Sequence, residues 1–271
     1  MKKESIMYAI GYTVLGLILL FGAVLAWSAR ATVSAKITEQ EEAAKPAEIE
    51  LTLIAPSSCD QCIDGKALLE EIEKQDVRVL GAETFLGDSE EGKSLIAKYE
   101  IKRLPAILVE GQYDKANIRE ALDSLGAEEK DAALLIQVKQ PVYVDVASNA
   151  IVGLVDATYL TDSSCPDCYD PTQHRAILVN TFNVTIQSEK SIDAQSAEGR
   201  ALIDRYAITQ TPALLLSSQA ASYDRLVETW KQVGTIEEDG TFVFRQSTAL
   251  GAVTYKDLTT GEVVRPETPK E

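Results

Sequence analysis

The sequence predicts an α/β protein built as two tandem copies of one unit behind an N-terminal transmembrane helix. Three observations predict it. A pair of cysteines two residues apart recurs at the same place in two similar stretches, as Cys59-Asp60-Gln61-Cys62 and Cys165-Pro166-Asp167-Cys168. Around each pair, short apolar strand patterns alternate with amphipathic helix patterns in the same order. Residues 5–29 are uncharged over a length that crosses a bilayer.

The duplication extends beyond the cysteines. Pro56-Ser57-Ser58 precedes the first pair and Asp162-Ser163-Ser164 the second. Glu91-Gly92-Lys93-Ser94-Leu95-Ile96 matches Glu198-Gly199-Arg200-Ala201-Leu202-Ile203, and the match runs on to Tyr99 and Tyr206. Each copy then reaches a proline followed by an apolar strand, at Pro105 and Pro212. A repeat of about a hundred residues marks a duplicated domain, because solenoid repeats are only about 20–50 residues long.

At about 1.5 Å per residue, some 20 helical residues cross a hydrocarbon core of about 30 Å. Tyr8, Tyr12 and Trp27 lie toward the ends of the apolar run, where aromatic rings favour the interface. A cleaved signal peptide is the competing reading, with Ala29-Arg30-Ala31 as its cleavage site, although its apolar region is usually shorter. The expected organisation is an anchor over 1–29, a flexible linker over 30–48, one domain over 49–139, a second over 140–258 and a disordered tail over 259–271. The domains are expected outside the cytoplasm, on a single-pass membrane protein, because a lone N-terminal anchor commonly exports the domains C-terminal to it.

Within the first copy, strands are expected at 49–55, 77–81 and 106–109, and helices at 62–73, 89–99 and 117–125. The second copy repeats this with a strand at 151–158, a helix after Asp170-Pro171, a helix at 197–206, a strand at 212–216 and a helix at 224–233. Residues 142–146 read as an extra strand ahead of the second domain. Residues 235–244 read as a hairpin about Asp239-Gly240.

The net charge is −16 and no basic cluster occurs, which argues against nucleic-acid binding. The lone histidine, His174, reads as a surface helix residue. It also leaves no Ser-His-Asp set to assemble, and there is no glycine-rich phosphate loop. No cofactor and no metal are expected. A four-cysteine zinc site needs its two pairs about 15–20 residues apart, and these belong to separate domains. Tyr99 and Tyr206 read as core residues, and Gly92 and Gly199 as parts of helix starts.

A strand, a Cys-x-x-Cys pair at a helix start, and a proline before a further strand resemble the thioredoxin superfamily. The likeness covers most of residues 49–245, and a central mixed β-sheet flanked by helices is the fold it implies for each domain. Two features depart from that family: serine, Ser58 or Ser164, stands where thioredoxin has tryptophan before the first cysteine, and neither motif is Cys-Gly-Pro-Cys. The layout also resembles tandem protein disulfide oxidoreductases and isomerases. The resemblance assigns nucleophilic attack to Cys59 and Cys165 and resolution of the mixed disulfide to Cys62 and Cys168. It implies cis bonds at Leu104-Pro105 and Thr211-Pro212, whose backbone would receive a substrate strand. It also puts the attacking sulfur exposed at a helix N-terminus, where free N–H groups stabilise a thiolate.

Asp60 and Asp167 lie inside the motifs, and a nearby carboxylate disfavours a thiolate. This predicts reduction or isomerisation rather than strong oxidation. The expected partners are protein dithiols and disulfides, with a membrane electron donor or acceptor. The alternative is a non-enzymatic binding or assembly module whose cysteines form structural disulfides.

Overall fold

The computed structural model describes Lys36 and residues 44–266. The membrane helix expected over 5–29 therefore lies outside the described residues, as does most of the linker. Among the described residues, no helix is long and apolar enough to cross a membrane.

The first unit runs β1 (Ala47–Ala55), α1 (Gly65–Glu73), β2 (Val77–Leu86), α2 (Glu90–Lys98), β3 (Arg103–Leu104), β4 (Ala106–Gly111), α3 (Ala116–Ser124), β5 (Glu128–Lys130), β6 (Ala133–Gln137), β7 (Tyr143–Asp145) and β8 (Ala150–Val152). Its main sheet has the order β2-β1-β4-β6-β5. β1 and β2 are parallel, and the other pairs are antiparallel. The second unit runs β9 (Leu154–Thr161), a 3-10 turn (Pro171–Gln173), α4 (His174–Phe182), β10 (Thr185–Asp193), α5 (Ala197–Tyr206), β11 (Gln210–Thr211), β12 (Ala213–Leu216), α6 (Asp224–Val233), β13 (Gly234–Ile236), β14 (Phe242–Phe244), β15 (Tyr255–Asp257) and β16 (Val263–Val264). Its main sheet, β10-β9-β12-β14-β13, has the same pattern. The α/β class and the two mixed-sheet units are as expected.

Strand alternation sends side chains to opposite faces. Ile49, Leu51 and Leu53 of β1 join Ile107 and Val109 of β4 beneath α1 and α3, with Leu69, Ile72, Ile118 and Leu122 completing that core. Ile54, Ala106 and Leu108 face the other way, toward Leu95 and Ile96 of α2 and Tyr99 at its C-cap. Both faces are covered where β4 runs Ala106–Val109, and those four residues are all apolar and buried, whereas β1 still carries Glu48, Glu50 and Thr52. In the second unit, Trp230 of α6 packs edge-on against Phe242, with ring centroids 5.4 Å apart.

The repeated Glu-Gly motif has a packing cause. Ser89 and Ser196 cap α2 and α5, accepting from the amides of Gly92 and Gly199. A Cβ at Gly92 would stand 2.0 Å from the Leu86 carbonyl oxygen, and one at Gly199 would stand 2.0 Å from that of Asp193. Tyr99 and Tyr206 are buried as expected.

Several expectations need correction. Residues 126–139 carry no expected element, yet β5 and β6 return to the sheet edge after α3. The expected hairpin over 235–244, β13–β14, is their counterpart and not an addition to the second unit. The strand expected ahead of the second domain, β7, pairs instead with β3 of the first, Arg103 opposite Asp145 and Leu104 opposite Val144. The strand expected over 151–158 is two strands, broken at Gly153, whose φ of 98° suits glycine and whose missing Cβ leaves room for Pro141. The first unit therefore ends near residue 152, beyond the expected boundary at 139. The tail expected to fray from 259 also folds back: β16 pairs with β15, and β15 pairs with β11.

Candidate active site

Both cysteine pairs are closed as disulfides in tight turns, with the Cys62 amide donating to the Cys59 carbonyl and the Cys168 amide to that of Cys165. Neither pair sits at a helix tip. α1 begins at Gly65, capped by Asp64, and α4 at His174, after a 3-10 turn capped by Asp170 with Pro171 in its first turn. The expected helix start at Cys62 is thus three residues early. Dipole stabilisation of a thiolate fades beyond the first turn of a helix, so it contributes less here than the resemblance implies.

The amides just after the pairs explain the delay. Ile63 donates its N–H to the carbonyl of Val142 at 3.0 Å, and Tyr169 donates to that of Thr254 at 2.9 Å. Both acceptors lie at the entry to a hairpin, β7–β8 in one unit and β15–β16 in the other. Each hairpin also pairs with the residues just before the proline. Leu104-Pro105 and Thr211-Pro212 are both cis. Val144 stands opposite Leu104, and Lys256 stands opposite Thr211. The backbone of Leu104 and Thr211, expected to receive a substrate strand, is paired within the chain in this structure.

The proline turns adjoin the dithiols. Cys168 Sγ lies 3.9 Å from the Thr211 carbonyl oxygen. The Tyr169 hydroxyl donates to the Pro212 carbonyl at 2.9 Å, and burial pushes that phenol well above its ordinary range. Cys59 and Cys62 pack against the apolar cluster that holds Leu104 and Val144.

The two sites differ in chemistry. In the first unit a cleft of about 490 Å³ is lined by Ser57 and Ser58, the residues just before Cys59, and by Lys93, Leu104, Val144 and Ile151, although neither cysteine lines it. Cys59 is partly exposed. Cys165 is only 4% exposed, against the expectation of an accessible sulfur. Polar groups meet next to it. The Thr211 hydroxyl donates to Asp162 at 2.8 Å, Gln195 Nε2 at 3.0 Å, and the Ser164 hydroxyl also donates to it. Burial pushes the Asp162 carboxyl up, but hydrogen bonds from Ser164, Thr211 and Gln195 outweigh it and hold the group below the usual range. Lys256 Nζ donates to Ser164 Oγ at 2.7 Å and lies 4.0 Å from Asp162.

Asp60 is exposed, and no ion pair involves it among the described residues. Asp167 pairs with Arg265 at 2.8 Å, a partner on the chain's far end that the motif alone does not reveal. His174 is not on the surface: it is 4% exposed, its ring edge-on to Phe244 at 4.6 Å and its Nε2 3.4 Å from the Tyr169 hydroxyl. Burial lowers its pKa from 6.5 to about 4.

The strand order, the dithiol after the first strand and the cis proline before the antiparallel strand make each unit thioredoxin-like. No family model matches the chain, and no curated protein matches it. Similar solved structures include ERdj5, at 15% identity and a TM-score of 0.20, over 64% of this chain. This chain spans only 23% of the length of that ERdj5 structure. The N-terminal domain of the alkylhydroperoxide reductase AhpF from Enterococcus faecalis aligns at 15% identity and a TM-score of 0.20, over 67% of this chain and 89% of that one. A protein disulfide oxidoreductase from Aeropyrum pernix aligns at 17% identity and a TM-score of 0.17, over 65% and 78%.

Proposed function

We propose that the chain is a membrane-anchored thiol–disulfide oxidoreductase that exchanges disulfides with proteins outside the cytoplasm. The observation that carries this reading is the partly exposed Cys59, packed with Cys62 against the cluster that holds Leu104 directly before a cis proline. An incoming thiolate attacks Cys59 Sγ, the bond to Cys62 breaks and Cys62 leaves as a thiolate. In the opposite direction, the Cys59 thiolate attacks a substrate disulfide and Cys62 resolves the mixed disulfide. With its edge already paired to β7, the first unit engages its partner through the cleft rather than by adding a strand. Asp60 disfavours the thiolate and so favours reduction or isomerisation over strong oxidation.

The anchor and the extracytoplasmic placement rest on the sequence of residues 5–29. A membrane electron donor or acceptor would renew the dithiols. For the second unit, the burial of Cys165 favours a second reading, a structural crosslink in a non-enzymatic module.

Trapping tests the proposal. In Cys62→Ala the mixed disulfide at Cys59 has no resolving thiol, so covalent partners accumulate in the membrane fraction and are released by reductant. Cys168→Ala asks the same of the second unit. Absence of any reductant-sensitive adduct with Cys62→Ala would count against the proposed activity.

A further inference from the structure

The two hairpins occupy the same position in their units but are fastened differently. β7–β8 is fastened by apolar contact: Val144 is buried, and Val146 and Ile151 pack against the same cluster as Cys59 and Cys62. β15–β16 is fastened by polar contact. Lys256 holds Ser164, Arg265 holds Asp167, and the Thr254 carbonyl accepts from Tyr169. Tyr255, Lys256 and Asp257 are all partly exposed, and the residues of the Arg265–Asp167 pair are more than 60% exposed. An exposed ion pair holds weakly, and elements with few buried apolar contacts open first. The less exposed cysteine, Cys165, thus belongs to the motif whose neighbours Ser164, Asp167 and Tyr169 are held by the more easily released hairpin.

We propose that β15–β16 is a latch over the second dithiol, with Lys256 and Arg265 as its fastenings. The first dithiol stands open to partners, and the second exchanges only when the hairpin lifts. Lys256 is the residue that sets this difference, because its counterpart in the first hairpin, Val144, fixes a wall instead. The two pairs then divide the work, Cys59–Cys62 meeting external partners first and Cys165–Cys168 reacting behind a gate.

The test is stopped-time reduction of the folded full chain by dithiothreitol, each pair quantified by alkylation and peptide mass. One dithiothreitol thiolate attacks a cysteine sulfur, the Cys–Cys bond breaks, and the second thiol then displaces the cysteine. The reductant closes to its cyclic disulfide, and two electrons and two protons pass to the protein pair. Wild type is expected to reduce Cys59–Cys62 first. Lys256→Ala with Arg265→Ala is expected to speed reduction of Cys165–Cys168 by about tenfold, the size of one charge-assisted hydrogen bond, with the first pair unchanged as internal control. Ser164→Ala, which removes the acceptor of Lys256 together with a donor to Asp162 but leaves the Arg265–Asp167 pair in place, is expected to give a smaller acceleration of the same pair. Equal rates for the two pairs in wild type would overturn the latch, and so would an unchanged second pair in the double variant. Acceleration of both pairs alike would overturn it too, since general loosening explains that. The proposal rests on the reading of the pairs as exchangeable dithiols, but a chemical reductant needs no protein partner. A failure of the latch is therefore separable from a failure of trapping.

Discussion

Val144 stands opposite Leu104 across a two-residue antiparallel ladder, directly before the first cis proline. The contact ties a hairpin that the sequence places in the second domain to the redox edge of the first. Val144 is buried against the cluster that includes Cys59 and Cys62. A carboxylate there must be desolvated. Val144→Asp is expected to destabilise the first unit by about 3 kcal/mol, read as a lower urea midpoint at unchanged slope. An unchanged midpoint would show that the hairpin is not part of that core.

Gly92 and Gly199 give a paired prediction. Each stands where a Cβ would meet a carbonyl oxygen at 2.0 Å. Backbone cannot yield as a side chain can, so Gly92→Ala and Gly199→Ala are each expected to cost about 3 kcal/mol despite alanine's better helix propensity. Denaturant unfolding checks both, and stabilisation of either variant would contradict the packing.

His174 makes the second unit sensitive to acid. Its folded pKa of about 4 lies below the ordinary 6.5, because burial disfavours the charged ring. A histidine lowered in the fold gives its full stability above pH 6.5 and loses it as pH falls toward 4. The loss expected at pH 4 is about 3 kcal/mol relative to neutral pH. His174→Phe removes the titrating group, so the slope of stability against pH over this window is expected to flatten. An equally steep slope in that variant would place the acid sensitivity elsewhere.

Asp60 and Asp167 are expected to behave differently despite similar positions in their motifs. Asp167 is matched by Arg265, whereas Asp60 has no such partner among the described residues. In the reduced protein, Asp60→Asn is expected to speed alkylation of Cys59 at neutral pH by about threefold, and Asp167→Asn is expected to change Cys165 less. Equal responses, measured with a slow alkylating agent and mass detection, would remove the role given to Arg265.

Much of the fold is legible in the sequence because the repeat is strongest in the elements around the cysteines and in α2 and α5. The hairpins are not, because their strands are three residues or fewer and carry little periodicity. A signal is present all the same. Tyr143, Asp145, Asn149 and Val152 match Tyr255, Asp257, Gly261 and Val264 at one constant offset. Asp145 and Asp257 each accept from the backbone of the turn, and Asn149 and Gly261 both take a positive φ. The dithiols and prolines are equally legible. The burial of His174 is not, because Phe244 reaches it from 70 residues away in sequence, and neither are the partners of Ser164 and Asp167, because Lys256 and Arg265 lie 92 and 98 residues from them.

The most direct measurement is the reduction potential of Cys59–Cys62 in the folded chain, by equilibration against defined dithiothreitol ratios. A reversible carrier with a partly exposed Cys59 and an exposed Asp60 is expected between about −270 and −180 mV. A value below about −300 mV would identify an inert structural crosslink and contradict the proposed exchange activity.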